Sequence, residues 1–408
     1  MGGAICIVSP GNLASNPRVL KEADALHEAG HAVTAVVCDY TEALRPFDDE
    51  IAGRVPWKVI RVARPVGERQ VGQAARGLAK LATGLGMPAP LAVAASAYGG
   101  PVAALRRAAS EVPADLYIAH YIAGLAAAAA VARRRRAMLG FDAEDYHAGE
   151  GTPFHMSMVR TIESALLPAC RHVTAAAPLI GKAYAAQCRV EPTTVLNVFP
   201  LAMAPTQSHA AGAHDSFKAY WFSQTIGLDR GLQSFIQAMA RTRTRVTLDI
   251  RGGNRWGHGE RLVALARELG IGDRVNLLPM ASPEEMVRLA ASYDIGLSLE
   301  TDVSENRRLC LTNKIFTYLL AGVPVLLSDT PAQRALASDL GAAQRLVSLA
   351  DPAAMAATLD DLAGSPVARA EASASAWRLG RERYNWEVEK AALLGSVARA
   401  FASRQVSP

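Results

Sequence analysis

The sequence predicts an α/β protein built from two Rossmann-like, doubly wound domains, and three observations carry that prediction. Short continuous apolar runs alternate with amphipathic stretches along nearly the whole chain. Its 408 residues exceed what one core comfortably serves, so two domains of about 200 residues each are expected. Residues 312–329, TNKIFTYLLAGVPVLLSD, compress a complete helix–strand unit into one segment. There Thr312 or Asn313 can cap a helix, Gly322 and Pro324 stop it, and PVLLSD reads as a buried parallel strand.

The remaining elements follow in order. GAICIVS is a continuous apolar strand, PRVLKEADALHEAG a helix with Pro17 at its start, and HAVTAVV a second strand. WKVIRVA adds a strand, and residues 68–111 are helical with Gly and Pro breaks. DLYIAH is a strand, GLAAAAAVARRRR a helix, and AMLGFDAED a strand with a loop after it. HVTAAA and TTVLNVF complete a first domain over residues 1–201. Residues 202–216 are small, polar and without periodicity, and read as a linker. A second domain over 217–385 opens on the strand FKAYWFS. Its strands VTLDIR, RVNLLP, DIGLSLE and PVLLSD alternate with helices starting near Arg230, Gly259, Pro283 and Asn313. DPAAMAATLDDLAG is a further amphipathic helix, and residues 386–408 form a closing one.

Composition narrows the function classes. No apolar run reaches the roughly 18 residues of a bilayer span, and the first strand lacks a basic leader, so a cytoplasmic protein is expected. Five scattered cysteines without CxxC or His/Cys spacing fit reduced thiols and argue against structural zinc. The net charge is only +5, and the one dense basic cluster is Arg133–Arg136. That cluster ends an Ala-rich helix, where cations suit the macrodipole, and contact with the inner face of an anionic membrane is the competing reading. No aromatics are interleaved with it, so nucleic acid is not an expected partner.

Ligands of doubly wound sheets sit beyond the carboxyl ends of the strands, so the residues that follow each strand are the candidates. After the first strand come Gly11, Asn16 and Arg18, with no GxGxxG to suggest a nicotinamide cofactor. His120 ends DLYIAH, and Asp142 follows MLGF with Glu144, Asp145, His147 and Glu150 close behind. Sugar and acceptor hydroxyls account for such clustered acids, and a metal site is the alternative. Arg251 follows VTLDI at the next crevice. Asn313 and Lys314, preceded by Arg307 and Arg308, open a helix whose free N–H groups suit an anion.

NKIFTYLLAGVPVLLSD resembles the donor-site helix of retaining GT-B glycosyltransferases of group 1, which take sugars from nucleotide diphosphates. SPGNLASNPRVLKEADALHEAGHAVTAVV, FDAEDYH, WFSQTIGLDRGLQSFIQAM and NLLPMASPEEMVRLAASYDIGLSLE resemble the same family, in family order. The resemblance implies two Rossmann-like domains facing across a cleft, and a final helix crossing back to the first. It implies sugar transfer from a nucleotide-diphosphate sugar to a glycan, lipid-linked or small-molecule acceptor, without cofactor or metal. The expected mechanism is front-face attack, the leaving phosphate helping to deprotonate the acceptor. His120 and Asp142 become the catalytic candidates, with Gly11, Asn16, Arg18, Glu144 and Asp145 toward acceptor or sugar. Arg230, Gly231, Arg251, Asn313, Lys314 and Thr317 become the donor-binding set. The chain departs from the family at three points: Thr225 stands where an Arg is usual, and Leu309 and Thr317 replace two glutamates eight positions apart. A catalytically silent partner subunit and a sugar-nucleotide epimerase on the same architecture are the alternatives.

Overall fold

A computed structural model describes residues 2–63, 68–207 and 216–405. Of the expected linker, residues 208–215 lie outside the described residues. The chain divides into two compact units, Met1–Val195 with Lys390–Pro408, and Leu196–Glu389.

The first unit holds a seven-stranded sheet of β1 (Ala4–Val8), β2 (Ala32–Asp39), β3 (Lys58–Ala63), β4 (Leu116–His120), β5 (Met138–Ala143), β6 (Cys170–Ala175) and β7 (Thr193–Thr194). Their order is β3-β2-β1-β4-β5-β6-β7 and every pairing is parallel. The second unit holds β8 (Phe217–Thr225), β9 (Val246–Gly253), β10 (Val275–Leu278), β11 (Ile295–Ser298), β12 (Val325–Ser328) and β13 (Gln344–Val347). Their order is β10-β9-β8-β11-β12-β13, again all parallel. In each sheet the winding reverses direction at the first strand, between β1 and β4 and between β8 and β11. A crevice opens there beyond the carboxyl ends, because the connections leave to opposite faces.

Two strands differ from expectation for the same reason. The expected strand TTVLNVF pairs only over Thr193–Thr194, and QRLV forms β13 unforeseen. Both lie at a sheet edge, and β13 is only part-buried over three of its four residues, so neither needs the continuous apolar run that marks a central strand.

The closing helix, Trp386–Gln405, buries Val397 and Ala400 in the core of the first unit beside Ile5, Val33 and Leu116. Residues 68–111 resolve into three helices, Glu68–Gly84, Leu91–Tyr98 and Val102–Ser110. The first turns Val71, Leu78 and Leu81, which share one face at helical spacing, outward and leaves them exposed, with Leu85 exposed just past its end. In the second unit the Asn313–Ala321 helix sits hard against β11, because Gly296 has no side chain to hold it off. A Cβ there would meet the Tyr318 ring at 2.2 Å. The Tyr318 hydroxyl then donates to the Tyr220 carbonyl at 2.9 Å, pinning the helix start over the β8–β11 crevice. Among the described residues no helix is long and apolar enough to cross a membrane.

Candidate functional site

Each crevice gathers a cluster of charged side chains, one in each unit. In the first unit, β4 delivers His120, β5 delivers Asp142, and the Pro17–Glu28 helix after β1 delivers Arg18 and Glu22 four residues apart on one face. Asn16 caps that helix by accepting from the Val19 N–H, and its Nδ2 is left buried without a hydrogen bond among the described residues. The Arg18 guanidinium forks onto Asp142 through Nε at 2.5 Å and Nη2 at 2.7 Å, and its Nη1 donates to the Val195 carbonyl. Thr174 adds a short hydrogen bond to the same carboxylate. His120 lies between carboxylates, Nε2 at 2.6 Å from Glu22 and Nδ1 at 3.2 Å from Glu144. Tyr121, next in the chain, has a φ of 57° and donates to Glu144 at 3.2 Å. Such a conformation costs about 1–3 kcal/mol in a residue other than glycine, and it is held at the carboxyl end of β4 by its surroundings.

The electrostatics follow from these contacts. Burial alone would depress the His120 imidazole, but Glu22, Glu144 and Asp142 outweigh it and raise it to about 10. Burial would raise Asp142, and Arg18 and His120 instead hold it well below the usual carboxylate range. Glu22 is likewise lowered, burial being overcome by His120 and His172. The cluster therefore spends its charges on one another, two cations against three carboxylates.

The catalytic candidates His120 and Asp142 both lie inside this cluster. His120 is 0% exposed and Asp142 2%, and both spend their polar atoms on neighbours. Glu144 and Asp145 are part-exposed at the rim. Gly11 is also at the rim, where a Cβ would meet only Ser15 Oγ at 3.7 Å, so packing does not require a glycine there. The ligand-capable atoms of His120, Asp142 and Glu144 lie within 4.8 Å of one another, and of the three only Glu144 reaches the surface.

In the second unit the hub is Glu300, two residues past β11 and 1% exposed, which is not among the candidates drawn from the sequence. Arg230 Nη1 donates to it at 3.2 Å, Arg307 Nη1 makes a shorter bond, and Lys314 Nζ lies 3.5 Å from its other oxygen. Ser328 donates to the Glu300 carbonyl and fixes the loop. Gly231 brings Arg230 into range. Its φ is 67°, and a Cβ would strike Leu299 at 2.8 Å, so only glycine lets the Leu232–Met239 helix start against this loop. Lys314 also lies over the Trp221 ring at 5.7 Å. Burial, opposed by Glu300 and reinforced by Arg230, holds Lys314 below the usual lysine range. Three cations share one carboxylate, and no side chain caps the first turn of the adjoining Asn313–Ala321 helix.

Two members of the expected donor set stand apart. Arg251 is committed to the Tyr220 hydroxyl at 2.8 Å and the Pro279 carbonyl at 2.7 Å. Thr317 is 0% exposed and its hydroxyl back-bonds to the Asn313 carbonyl at 3.1 Å. Asn313 is exposed at the helix start.

Residues 230–395, which include the whole Glu300 cluster, match the family described as "Glycosyl transferase-like". That segment is similar to glycosyl transferases, and the chain as a whole has a GT-B-like fold. Solved structures show the same fold over the full length of this GT-B chain. A structure of Anabaena HepE with UDP and glucose is similar at 15% identity and a TM-score of 0.73, covering 97% of this chain and 99% of that one. Sucrose-phosphate synthase from Thermosynechococcus elongatus is similar at 14% identity and 0.71, over 98% and 99%. A putative UDP-N-acetylglucosamine 2-epimerase from Listeria monocytogenes is similar at 12% identity and 0.58, over 99% and 98%. No curated protein matches in sequence.

Proposed function

We propose that this chain moves a hexosyl group from a nucleotide-diphosphate sugar to an acceptor hydroxyl, with retention and without a catalytic metal. The observation that carries the reading is the second-unit cluster: Arg230, Arg307 and Lys314 around the single carboxylate Glu300, beside an uncapped helix start. Counting the half-exposed Asp229 carboxylate 3.8 Å from Arg230 Nε, one formal positive charge is left over, and it suits the negative charge that grows on a diphosphate as the sugar bond breaks. Preorganised donors of this kind supply a large share of rate enhancement in a dry site. A UDP-glucose complex of Anabaena HepE supports a nucleotide-sugar donor by analogy of fold. In front-face attack the leaving phosphate takes the acceptor proton, so the buried state of His120 and Asp142 is no obstacle. They act as positioning residues that hold Tyr121 and Glu144 at the rim of the first crevice.

The test is incubation of the purified protein with a panel of nucleotide sugars and no acceptor, with and without EDTA. Slow release of the nucleoside diphosphate, unchanged by EDTA, is the expected result. Conversion to a new sugar nucleotide would make it an epimerase, and no binding by calorimetry a silent subunit. Loss with EDTA, restored by a divalent ion, would assign a metal to His120, Asp142 and Glu144. With an acceptor found, the anomeric coupling in the product decides retention.

A further inference from the structure

The first unit carries a second charged cavity, away from the carboxyl ends of the strands. A cavity of about 520 Å³ lies between the Val102–Ser110 and Tyr121–Arg135 helices, lined by Arg106, Arg107, Arg134 and Arg135 with Ser110 and Glu111. Four guanidiniums thus face one carboxylate. Arg135 donates to the Ser110 carbonyl at 2.5 Å, and Glu111 accepts from Ser110 Oγ at 3.4 Å. The guanidiniums of Arg106, Arg107 and Arg134 make no hydrogen bond or ion pair among the described residues, and the Arg107 carbonyl accepts from Ser110 Oγ at 2.7 Å. Arginines elsewhere in the chain, such as Arg18, Arg61, Arg245 and Arg334, are paired with carboxylates. The last turns of both helices hold part of this group, where cations complement the dipole. The dipole explains cations near a helix end, but it does not call for four of them to converge on a cavity. Residues 68–136 hold nine Lys and Arg against three Asp and Glu, a formal +6 in a chain whose total is +5.

We propose that this cavity binds a phosphate ester. The guanidinium fork matches phosphate oxygens two at a time, and unpaired forks converging from two rigid helices are preorganised for it. The volume admits an esterified group rather than a lone ion. The same unit exposes the apolar stripe Val71, Leu78, Leu81 and Leu85, so the headgroup of an anionic lipid is one source of that phosphate and a soluble phosphate ester the other.

The experiment uses the full chain and the Arg107→Gln/Arg134→Gln double variant. Co-sedimentation is measured with vesicles of phosphatidylcholine alone and with added phosphatidylglycerol, and calorimetry with glycerol 3-phosphate. The wild type should bind at least one of the two phosphate probes. An anionic surface is worth roughly a factor of five per arginine, so the variant should lose roughly thirtyfold in vesicle partition. Binding only to vesicles assigns the headgroup, and binding to glycerol 3-phosphate lost in the variant assigns the soluble ester. Nucleotide-diphosphate affinity should be equal in both proteins, which separates this cavity from the Glu300 cluster. The proposal is overturned if wild type and variant bind the probes alike, if neither binds, or if the substitutions change only the melting temperature.

Discussion

The two charged clusters occupy equivalent places in two sheets of like topology, yet their charge balance is opposite. In the first unit Arg18 and His120 face Asp142, Glu22 and Glu144, and nearly every lone pair is spent. In the second, three cations crowd one carboxylate. Position beyond the strand ends makes a crevice but does not say what it does. A cluster whose cations are all paired stiffens the fold, and one left short of negative charge is prepared for an anion.

That contrast is broken first by mutating the sealed cluster. Asp142→Asn leaves Arg18 buried without a counter-charge and should cost about 3–5 kcal/mol of unfolding free energy in urea titration. A loss below about 1 kcal/mol, the worth of an exposed pair, would mean that water reaches the cluster and that it is not sealed. The second unit should behave the other way. Arg230→Ala, Arg307→Ala and Lys314→Ala each leave Glu300 paired, so stability should move little. Each should weaken nucleoside-diphosphate binding by about 1.5–3 kcal/mol, the scale of a charge-assisted hydrogen bond, with the bare nucleoside unaffected. Full diphosphate affinity in all three would place the phosphate site elsewhere.

A pH titration sharpens the comparison further. His120 is raised to about 10 by its carboxylate neighbours, so it binds a proton in the folded state that the unfolded chain has released above about 6.5. Its stabilisation is therefore complete below pH about 6.5 and is lost as pH climbs toward about 10. The stability difference between wild type and His120→Gln, followed by denaturation across that window, should shrink steadily. A difference that stays constant would show an imidazole that does not titrate there. The smallest effect is expected at Thr317. Thr317→Val removes only a back-bond within its own helix, so stability should change by less than about 1 kcal/mol and donor affinity not at all. A clear loss of donor affinity would return Thr317 to the ribose site.

How far the sequence could be read depended on what kind of contact each feature involves. Central strands such as β1, β4 and β12 are buried on both faces and announce themselves as continuous apolar runs. The edge strand β13 shares its environment with solvent and carries no such mark. Arg18, His120, Asp142, Arg230 and Lys314 could be picked out because each follows a strand or opens a helix, which is local information. Glu300 also follows a strand, but its role as a hub could not be read there, since it depends on Arg230, seventy positions away, and on Arg307 and Lys314 arriving at the same point.

The sequence by itself determined the two parallel sheets, the positions of the crevices and the chemical types collected there, because apolar periodicity, caps and glycines act over a few residues. The tertiary structure alone decided which charges meet. It paired Arg18 with Asp142 across 124 residues and closed His120 between two carboxylates. It turned Thr317 inward and left three cations around Glu300. Charge interactions depend on distance and burial, and both are set by packing between segments far apart in the chain.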